Sequence, residues 1–407
     1  MNYRFLLSVL FISFSLFATA QYGAQTYAIT GSSTGDFSWR NIRQIDISSG
    51  RVIKDIFVPG SSAKLLDGIS GKQLSSAEIE NVSANDFVAA SAFDVRTNKL
   101  FYATMHTGQL RWIDLGNTAT QLSIYTKPQQ FVTNSNIADE SINITRMTIG
   151  ADGNGYALTN DANHLYRFTT DNQTTVTDLG NLVDAEANDG ISIHNKCTSW
   201  GGDMVADAFG KLYLISANRL VFTIDVSTRI ATYTGTISGL PATYTTNGAA
   251  VDDNGDIVVN SSLGKDGYYK VKLADLSATK IEGSDKTYSV SDLANGNLLL
   301  QKEADVLKNT GAIASVNSFN TGGGHIYPNP VTNSVFNVSF DGLKPATYLI
   351  KVTDLSGKLI MNRSVSIGIT GQVETINVTP KLSVGMYLVK VESSDKQNSF
   401  TEKIIIK

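Results

Sequence analysis

Three of the four histidines and the single cysteine are the side chains best suited to acid–base or nucleophilic chemistry. His106, His164 and His194 lie far apart in the sequence, without the short spacing that zinc motifs show. Cys197 is close to His194 and Trp200, but no general base for it can be identified, so we expect a free, buried thiol. No glycine-rich phosphate loop occurs. The sequence therefore predicts no catalytic residues.

One group of carboxylates resembles part of a cation site. Asp252, Asn254 and Asp256 have the spacing of the first three ligands of a calcium loop. The match then ends, because Ile257 replaces the required glycine and Leu263 replaces the bidentate glutamate. Asparagine and aspartate next to glycine are typical of hairpin turns, which is the interpretation we favour. The sequence predicts no metal site and no cofactor.

Other aspartates occur at similar positions. Asp152-Gly153-Asn154-Gly155 has oxygen ligands for a cation but lies where a hairpin turn is expected. Asp203 and Asp207 alternate along a predicted strand and could face a central channel. We expect instead that they serve the turn and the strand edge.

These turns recur because residues 21–306 repeat a unit of four short strands with Asp, Asn and Gly between them. One four-stranded sheet cannot bury both faces, whereas several sheets around an axis can. The sequence therefore predicts an all-β fold, a β-propeller of about six blades, with five or seven as alternatives. An incomplete first unit predicts ring closure by strands from both ends. The pattern loosely resembles secreted propellers with WD-like or lactonase-like blades.

Composition limits the partners. Only 17% of residues are charged and the net charge is −4, which argues against nucleic acid. With one cysteine, no intrachain disulfide can form. Trp39, Trp112 and Trp200 fall in separate repeats, where aromatic faces could bind glycan, although packing in the core is the more ordinary role.

The first twenty residues have the features of a signal peptide. Arg4 precedes an apolar run over residues 5–17, and Ala18-Thr19-Ala20 is a small-x-small cleavage site. The run is too short for a membrane anchor, the alternative interpretation, and no later stretch is long and apolar enough to span a membrane. Residues 307–324 are polar and glycine-rich, as in a linker.

Residues 325–407 read as six or seven alternating strands, which predicts a small immunoglobulin-like β-sandwich. Four motifs stand out in this segment. They are Tyr327-Pro328-Asn329-Pro330, Asp354-Leu355-Ser356-Gly357-Lys358, Gly385-Met386-Tyr387, and the basic end with Lys403 and Lys407.

On these motifs the segment resembles the type A C-terminal sorting domain of the type IX (Por) secretion system of Bacteroidetes. The resemblance implies a sorting signal that includes Tyr327, Pro328, Asn329, Pro330, Gly385, Tyr387, Lys403 and Lys407. It implies export through the periplasm, recognition by the type IX secretion machinery, and removal of the domain by a sortase-like peptidase. Attachment to surface lipopolysaccharide or release would follow, so the protein is expected to be secreted or on the outer cell surface.

Two functions remain open for the propeller. The first is a non-catalytic binding module for glycan or protein, which we favour because no set of catalytic residues emerges. The alternative is a hydrolase or lyase acting on polysaccharide or lactone with carboxylates at the mouth of the channel.

Overall fold

The computed structural model covers most of the chain in detail. It describes residues 25–75, 86–116, 122–127, 130–133, 136, 138–171, 173–284, 288–309, 324–332, 334–340, 343–354, 357–369, 371–379, 381–396 and 398–406. The predicted signal peptide, most of the predicted linker and Lys407 lie outside the described residues.

Five sheets are arranged around an axis between residues 26 and 294, which confirms the all-β propeller. Blade 1 contains β1 (Thr26–Thr30), β2 (Asn41–Asp46), β3 (Arg51–Phe57) and the distant β22 (Val290–Ala294). Blade 2 contains β4 (Ala63–Asp67), β5 (Val88–Asp94), β6 (Lys99–Thr104), β7 (Leu110–Asp114) and β8 (Leu122–Lys127). Blade 3 contains β9 (Ile144–Ile149), β10 (Gly155–Thr159), β11 (Leu165–Phe168) and β12 (Val176–Asp178). Blade 4 contains β13 (Val183–Asp184), β14 (Asp203–Ala206), β15 (Lys211–Ile215), β16 (Leu220–Asp225) and β17 (Ile230–Thr236). Blade 5 contains β18 (Gly248–Val251), β19 (Ile257–Asn260), β20 (Tyr268–Val271) and β21 (Ala278–Lys280).

Strands from both ends of the propeller close the ring, as the sequence predicts. β22 pairs antiparallel with β1, with Tyr27 opposite Ala294. The innermost strands β22, β5, β9, β14 and β18 each contact the next around the axis, and β18 returns to β22. The count is five blades and not six, because the repeat that begins near Tyr288 completes blade 1 and does not form a blade of its own.

Two insertions lengthen blades without adding new ones. β4 pairs parallel with β8 at the outer edge of blade 2. β13 pairs parallel with β17 at the outer edge of blade 4, and a short 3₁₀ helix, Glu186–Asn188, follows it. Two of the five sheets therefore have a fifth strand at the outer edge.

The core lies between the faces of neighbouring blades. Phe101 and Trp112 of blade 2 pack with Phe168 of blade 3, and Tyr213 of blade 4 packs with Tyr269 of blade 5. Because each sheet is covered on both faces, these strands are apolar along much of their length instead of alternating strictly.

Gly155, the first residue of β10, packs closely against the neighbouring strand. A β-carbon at this position would lie 2.0 Å from Cζ of Phe168, inside the core between blades 2 and 3. We expect Gly155→Ala to lower the free energy of unfolding by about 1–3 kcal/mol, measured by chemical denaturation. Gly116→Ala is the control, because its β-carbon would meet only the ends of two flexible side chains at 3.3 and 3.4 Å. Equal effects of the two substitutions would contradict this account.

Residues after the ring differ from the prediction. Gln301–Asn309 form helix α1, where the sequence predicts the last propeller residues up to 306 and a linker from residue 307. The segment is rich in good helix formers such as Gln, Lys, Glu, Ala and Leu. No helix among the described residues has the length and apolar character that crossing a membrane requires.

The remaining strands form a separate sheet system with its own core. They are β23 (His325–Thr332), β24 (Val335–Ser339), β25 (Ala346–Asp354), β26 (Leu359–Ile367), β27 (Val373–Asn377), β28 (Gly385–Ser393) and β29 (Ser399–Ile406), in the order β26-β25-β28-β29-β23-β24-β27. β23 pairs with β24 through its first residues and with β29 at Val331. Side chains from strands on both sides of β23 in this order, including Phe336 of β24 and Val389 of β28, share one buried cluster. The immunoglobulin-like class of this sandwich stays a prediction.

Candidate functional site

The two faces of the ring differ in what they carry. Because strands within a blade alternate in direction, the connections between blades and those between second and third strands lie on one face, here called the loop face. The short turns between first and second strands of blades 2 to 5, and those between third and fourth strands, lie on the opposite face, here called the turn face. Long connections give the loop face most of the irregular backbone, where binding residues usually lie.

All three propeller histidines lie on the loop face, but each has a different environment. His106 has a left-handed backbone with φ of 64°, and its N–H donates to Oδ1 of Asn143 at 3.1 Å. Nδ1 and Nε2 of His194 lie 2.7 Å and 3.0 Å from the carbonyl oxygens of Asp161 and Leu182. Because both ring nitrogens face backbone carbonyls of loops, His194 links these loops. A neutral imidazole can donate a hydrogen bond to only one of the two carbonyls.

His164 is the histidine best placed for chemistry. Its Nδ1 lies 2.7 Å from Oδ2 of Asp178, and its ring stacks on Tyr166 with centroids 5.8 Å apart. The side chains of His164 and Asp178 are 31% and 38% exposed, so solvent reaches the pair. A carboxylate at Nδ1 orients an imidazole with Nε2 directed outward, as a general base requires.

The expectation of a buried thiol at Cys197 is wrong, because the residue is exposed. It lies on the connection between blades 3 and 4, where its N–H donates to Oδ1 of Asn195. The ring nitrogens of His194 face carbonyl oxygens, so that imidazole is not available to activate the thiol.

The aspartates at the marked turns serve those turns. Oδ1 of Asp252 accepts the N–H groups of Asn254 and Asp256, and its Oδ2 accepts from Nζ of Lys270 at 2.5 Å. Asp152 accepts the N–H of Asn154 in the same way. No cluster of three or more His, Cys, Asp or Glu suited to a metal ion occurs among the described residues.

Asp203 and Asp207 divide between two roles. Asp207 accepts the N–H groups of Phe209 and Lys211 at its turn, as predicted. Asp203 is instead fully buried at the axis, where Oδ2 accepts the N–H groups of Ala249 at 2.7 Å and Leu293 at 3.1 Å. It therefore joins β14 to the innermost strands of two other blades.

A second buried carboxyl faces Asp203. Oδ1 of Asp292 accepts the N–H of Ser91 at 2.9 Å and also a short bond from the Ser91 hydroxyl. No N–H or O–H of the described residues donates to Oδ2 of Asp292, which lies within hydrogen-bonding reach of Asp203. Burial raises the pKa of Asp203 to about 7 and, together with the charge of Asp203, raises the pKa of Asp292 well above its usual range. Two buried carboxyls this close cannot both be charged at low cost, which favours a single proton held between them where the innermost strands meet.

The tryptophans have mainly structural roles. Trp112 is buried and stacks on Tyr125, with centroids 5.5 Å apart. Nε1 of Trp200 donates to the carbonyl oxygen of His194 at 3.2 Å. Trp39 is partly exposed next to Phe37, on the loop face of blade 1.

A cleft on the loop face between blades 2 and 3 combines polar and apolar groups. It is lined by Thr104, His106, Gly108, Phe131, Ile142 and Asn143, among others. The cleft is narrow, and one hydroxyl, carbonyl oxygen or water can enter it. No lysine or arginine is among its described lining residues, so the cleft does not favour an anion.

Asn143 supplies the unusual feature of this cleft. The residue is only 6% exposed, and its Nδ2 has no hydrogen-bond partner among the described residues. Oδ1 accepts the N–H of His106, which fixes the orientation of the amide and leaves Nδ2 as the free donor. An unsatisfied buried donor costs about 1–3 kcal/mol, so an acceptor that enters the cleft would be stabilised there. Sequence reasoning missed Asn143 because nothing local distinguishes it from other loop asparagines.

Four of the eight predicted sorting residues, Asn329, Gly385, Tyr387 and Lys403, lie on the last strand or pair with it. Nδ2 of Asn329 donates to the carbonyl oxygen of Lys403 at 2.6 Å, and its Oδ1 accepts the N–H of Ile405. Gly385 and Tyr387 lie opposite Ile406 and Ile404 in the register of β28 and β29. Strand β29 is therefore the point at which these separate motifs meet.

The other predicted sorting residues are more dispersed. Tyr327 is 37% exposed and lies opposite Asn337 of β24. Pro328 lies within β23, and the Asn329–Pro330 peptide bond is cis. Lys407 lies outside the described residues.

Comparison with solved structures finds low overall similarity. PorZ, a surface component of the type IX secretion system of Porphyromonas gingivalis, is 13% identical with a TM-score of 0.30, covering 94% of this chain and 51% of that one. The chain thus spans about half the length of that protein. A protein from Lactobacillus plantarum is 12% identical with a TM-score of 0.36, covering 67% and 98% of the two chains. A streptogramin B lyase is 13% identical with a TM-score of 0.34, covering 62% and 81%. At these TM-scores the likeness identifies neither activity nor ligand.

A family model identifies the end of the chain. A search of the curated proteins found no match. Residues 325–407, however, match the model described as the secretion system C-terminal sorting domain. These residues are a type IX secretion sorting domain, and the protein is exported through the periplasm to the cell surface or the medium.

Proposed function

We propose that the propeller is a non-catalytic module that binds glycan or protein outside the cell, using the cleft between blades 2 and 3. The observation that carries this proposal is the buried Nδ2 of Asn143, which has no hydrogen-bond partner among the residues that the structure describes. Phe131 and Ile142 add apolar surface next to that donor. A hydroxyl or carbonyl oxygen with adjacent apolar atoms has the complementary chemistry, and both sugars and peptides supply it.

The shape of the cleft sets the expected strength of binding. Only one oxygen-bearing group can enter, and the remainder of the ligand would lie on the rim near Val132, which is 42% exposed. Such contact buries little area, so we expect weak binding at each site and stronger binding to a surface that presents many copies of the ligand.

We also propose the processing that the sorting domain implies. Residues 1–20 would be removed on passage to the periplasm, and the sorting domain would be removed by a sortase-like peptidase between residues 307 and 324. The propeller, residues 21–306, would then be attached to lipopolysaccharide or released. Mass spectrometry of the surface protein would test this, since a mature species retaining residues 325–407 would contradict it.

A hydrolase or lyase is the second candidate function, and the His164–Asp178 pair is the observation in its favour. The pair is oriented and accessible to solvent on the same face as the cleft. Chromogenic hydrolase and lyase substrates would decide the matter. Turnover that disappears in His164→Ala would favour the enzyme.

The binding proposal predicts a specific effect of Asn143→Asp. The aspartate keeps an oxygen for the N–H of His106 but places an acceptor where Nδ2 is the donor. We expect at least a tenfold loss of affinity for a ligand found on glycan and peptide arrays, equivalent to about 1.4 kcal/mol. Asn163→Ala is the control, because Asn163 is on the loop face but pairs with Asp161 outside the cleft. Equal binding by both variants and the unaltered protein would refute the cleft as the site.

A further inference from the structure

We propose that the sorting domain docks on the turn face of blade 4 through β29, and that docking covers Lys403, one of the predicted sorting residues. The contact lies on the face of the ring opposite the cleft at Asn143. Docking therefore leaves the loop face uncovered, so the two surfaces can act independently.

The first part of the contact is ionic. Nζ of Lys211, at the start of β15, forms a short ion pair with Oδ2 of Asp225 and lies 3.9 Å from Oε1 of Glu402 in β29. The side chains of Lys211 and Glu402 are only 17% and 16% exposed. Oε2 of Glu402 also accepts the N–H of Ile326 at 2.8 Å, so the carboxylate is held by its own domain while it faces the propeller.

The second part of the contact involves Lys403. Its Nζ lies 5.5 Å from the centre of the Phe209 ring, in the turn between β14 and β15. This distance is within the range of a cation–π interaction. Burial lowers the pKa of Lys403, against the opposing effect of the charge on Asp207. Both observations place this ammonium group against the propeller and away from open solvent.

The chain length permits docking and release. The segment between Asn309 and Gly324 can reach up to roughly 45 Å when extended, so the domain can separate from the ring without unfolding either part. Few side chains make the contact, and partly exposed ion pairs contribute little each. A weak, reversible association is the expected result.

This geometry has a consequence for export. Secretion machinery that reads the last strand at Lys403 must compete with Phe209 and Asp207 for the same side chain. The docked form would therefore be poorly recognised, and the undocked form would be the one engaged.

The test is lysine labelling of the intact, folded protein, followed by mass spectrometry. Lys403 should react several-fold more slowly than Lys344 and Lys358, which are exposed on the same domain. Phe209→Ala removes the ring at the contact and should raise the labelling of Lys403 while leaving Lys344 and Lys358 unchanged. Phe209 is in a turn and only partly buried, so we expect the propeller to stay folded, as a thermal melt would verify.

Two outcomes would overturn the inference. Labelling of Lys403 as fast as that of Lys344 in the unaltered protein would show that the domain is not docked. Unchanged protection of Lys403 in Phe209→Ala would show that its own domain, and not the propeller, covers it. In cells, a pulse-chase should show Phe209→Ala reaching the surface at least as fast as the unaltered protein, and slower arrival would contradict competition.

Discussion

Deleting residues 325–407 is expected to leave the protein in the periplasm and to abolish its appearance at the surface and in the medium. The deleted segment is the sorting domain. The ring is closed by β22 against β1 and contains no strand from the deleted segment, so the truncated propeller should still fold. Cell fractionation with an antibody against the propeller measures the distribution, and surface display unchanged by the deletion would contradict the sorting role.

Substitution of two lysines tests whether a specific side chain of the sorting domain, and not only the presence of the domain, is needed for export. Lys403→Ala changes a predicted sorting residue on β29, whereas Lys344→Ala changes an exposed lysine outside the predicted signal. We expect Lys403→Ala to reduce export and Lys344→Ala to leave it unchanged. Equal export of the two variants would remove Lys403 from the signal while leaving the deletion result as a separate test of the domain.

Local patterns in the sequence predict most of the fold. The Asp-x-x-Gly and Asn-Gly turns indicate hairpins because they need a positive φ, and Gly153 and Gly255 have φ of 80° and 90°. Ring closure was predictable because the first repeat lacks a strand. The blade count was not, since the same pattern near Tyr288 fits either a further blade or the missing strand of blade 1, and only the distant pairing with β1 distinguishes them.

The candidate sites depend on contacts that no local pattern encodes. Asn143 becomes distinctive only because the N–H of His106, from the neighbouring blade, donates to its Oδ1 and leaves Nδ2 without a partner in the described part of the chain. Asp203 and Asp207 look alike on one strand and its turn, yet one lies at the axis and the other caps a turn. Glu402 acquires its role from Lys211, which is far away in the sequence. Sequence periodicity predicts which residues are in strands, but it does not predict which blades meet around an axis.

The carboxyl pair at the axis should make the propeller less stable at alkaline pH. Burial raises the pKa of Asp203 to about 7, above the ordinary value of 3.8 expected in the unfolded chain, and burial with the charge of Asp203 raises the pKa of Asp292 well above its usual range. A group whose pKa is raised by folding contributes its full stability below the unfolded pKa and loses it as the pH rises through the folded pKa. We expect the free energy of unfolding to fall by on the order of 3 kcal/mol between pH 5 and pH 9.

Asp292→Asn is expected to reduce this alkaline loss, because it removes one of the two carboxyls that titrate. The amide Oδ1 can still accept from Ser91, and Nδ2 can donate to Asp203 in place of the shared proton. Asp203→Asn is the matched control and should be destabilised at both pH values. The two carboxyl oxygens of Asp203 accept the N–H groups of Met204, Ala249 and Leu293. An amide nitrogen in place of one oxygen would lose at least one of these hydrogen bonds. Denaturant unfolding of the three proteins at pH 5 and pH 9 measures the difference. Other groups that titrate near neutrality, such as Glu402 with its pKa of about 7, affect all three proteins alike, so the comparison isolates the axial pair. An alkaline loss in Asp292→Asn as large as in the unaltered protein would show that the two carboxyls do not share a proton.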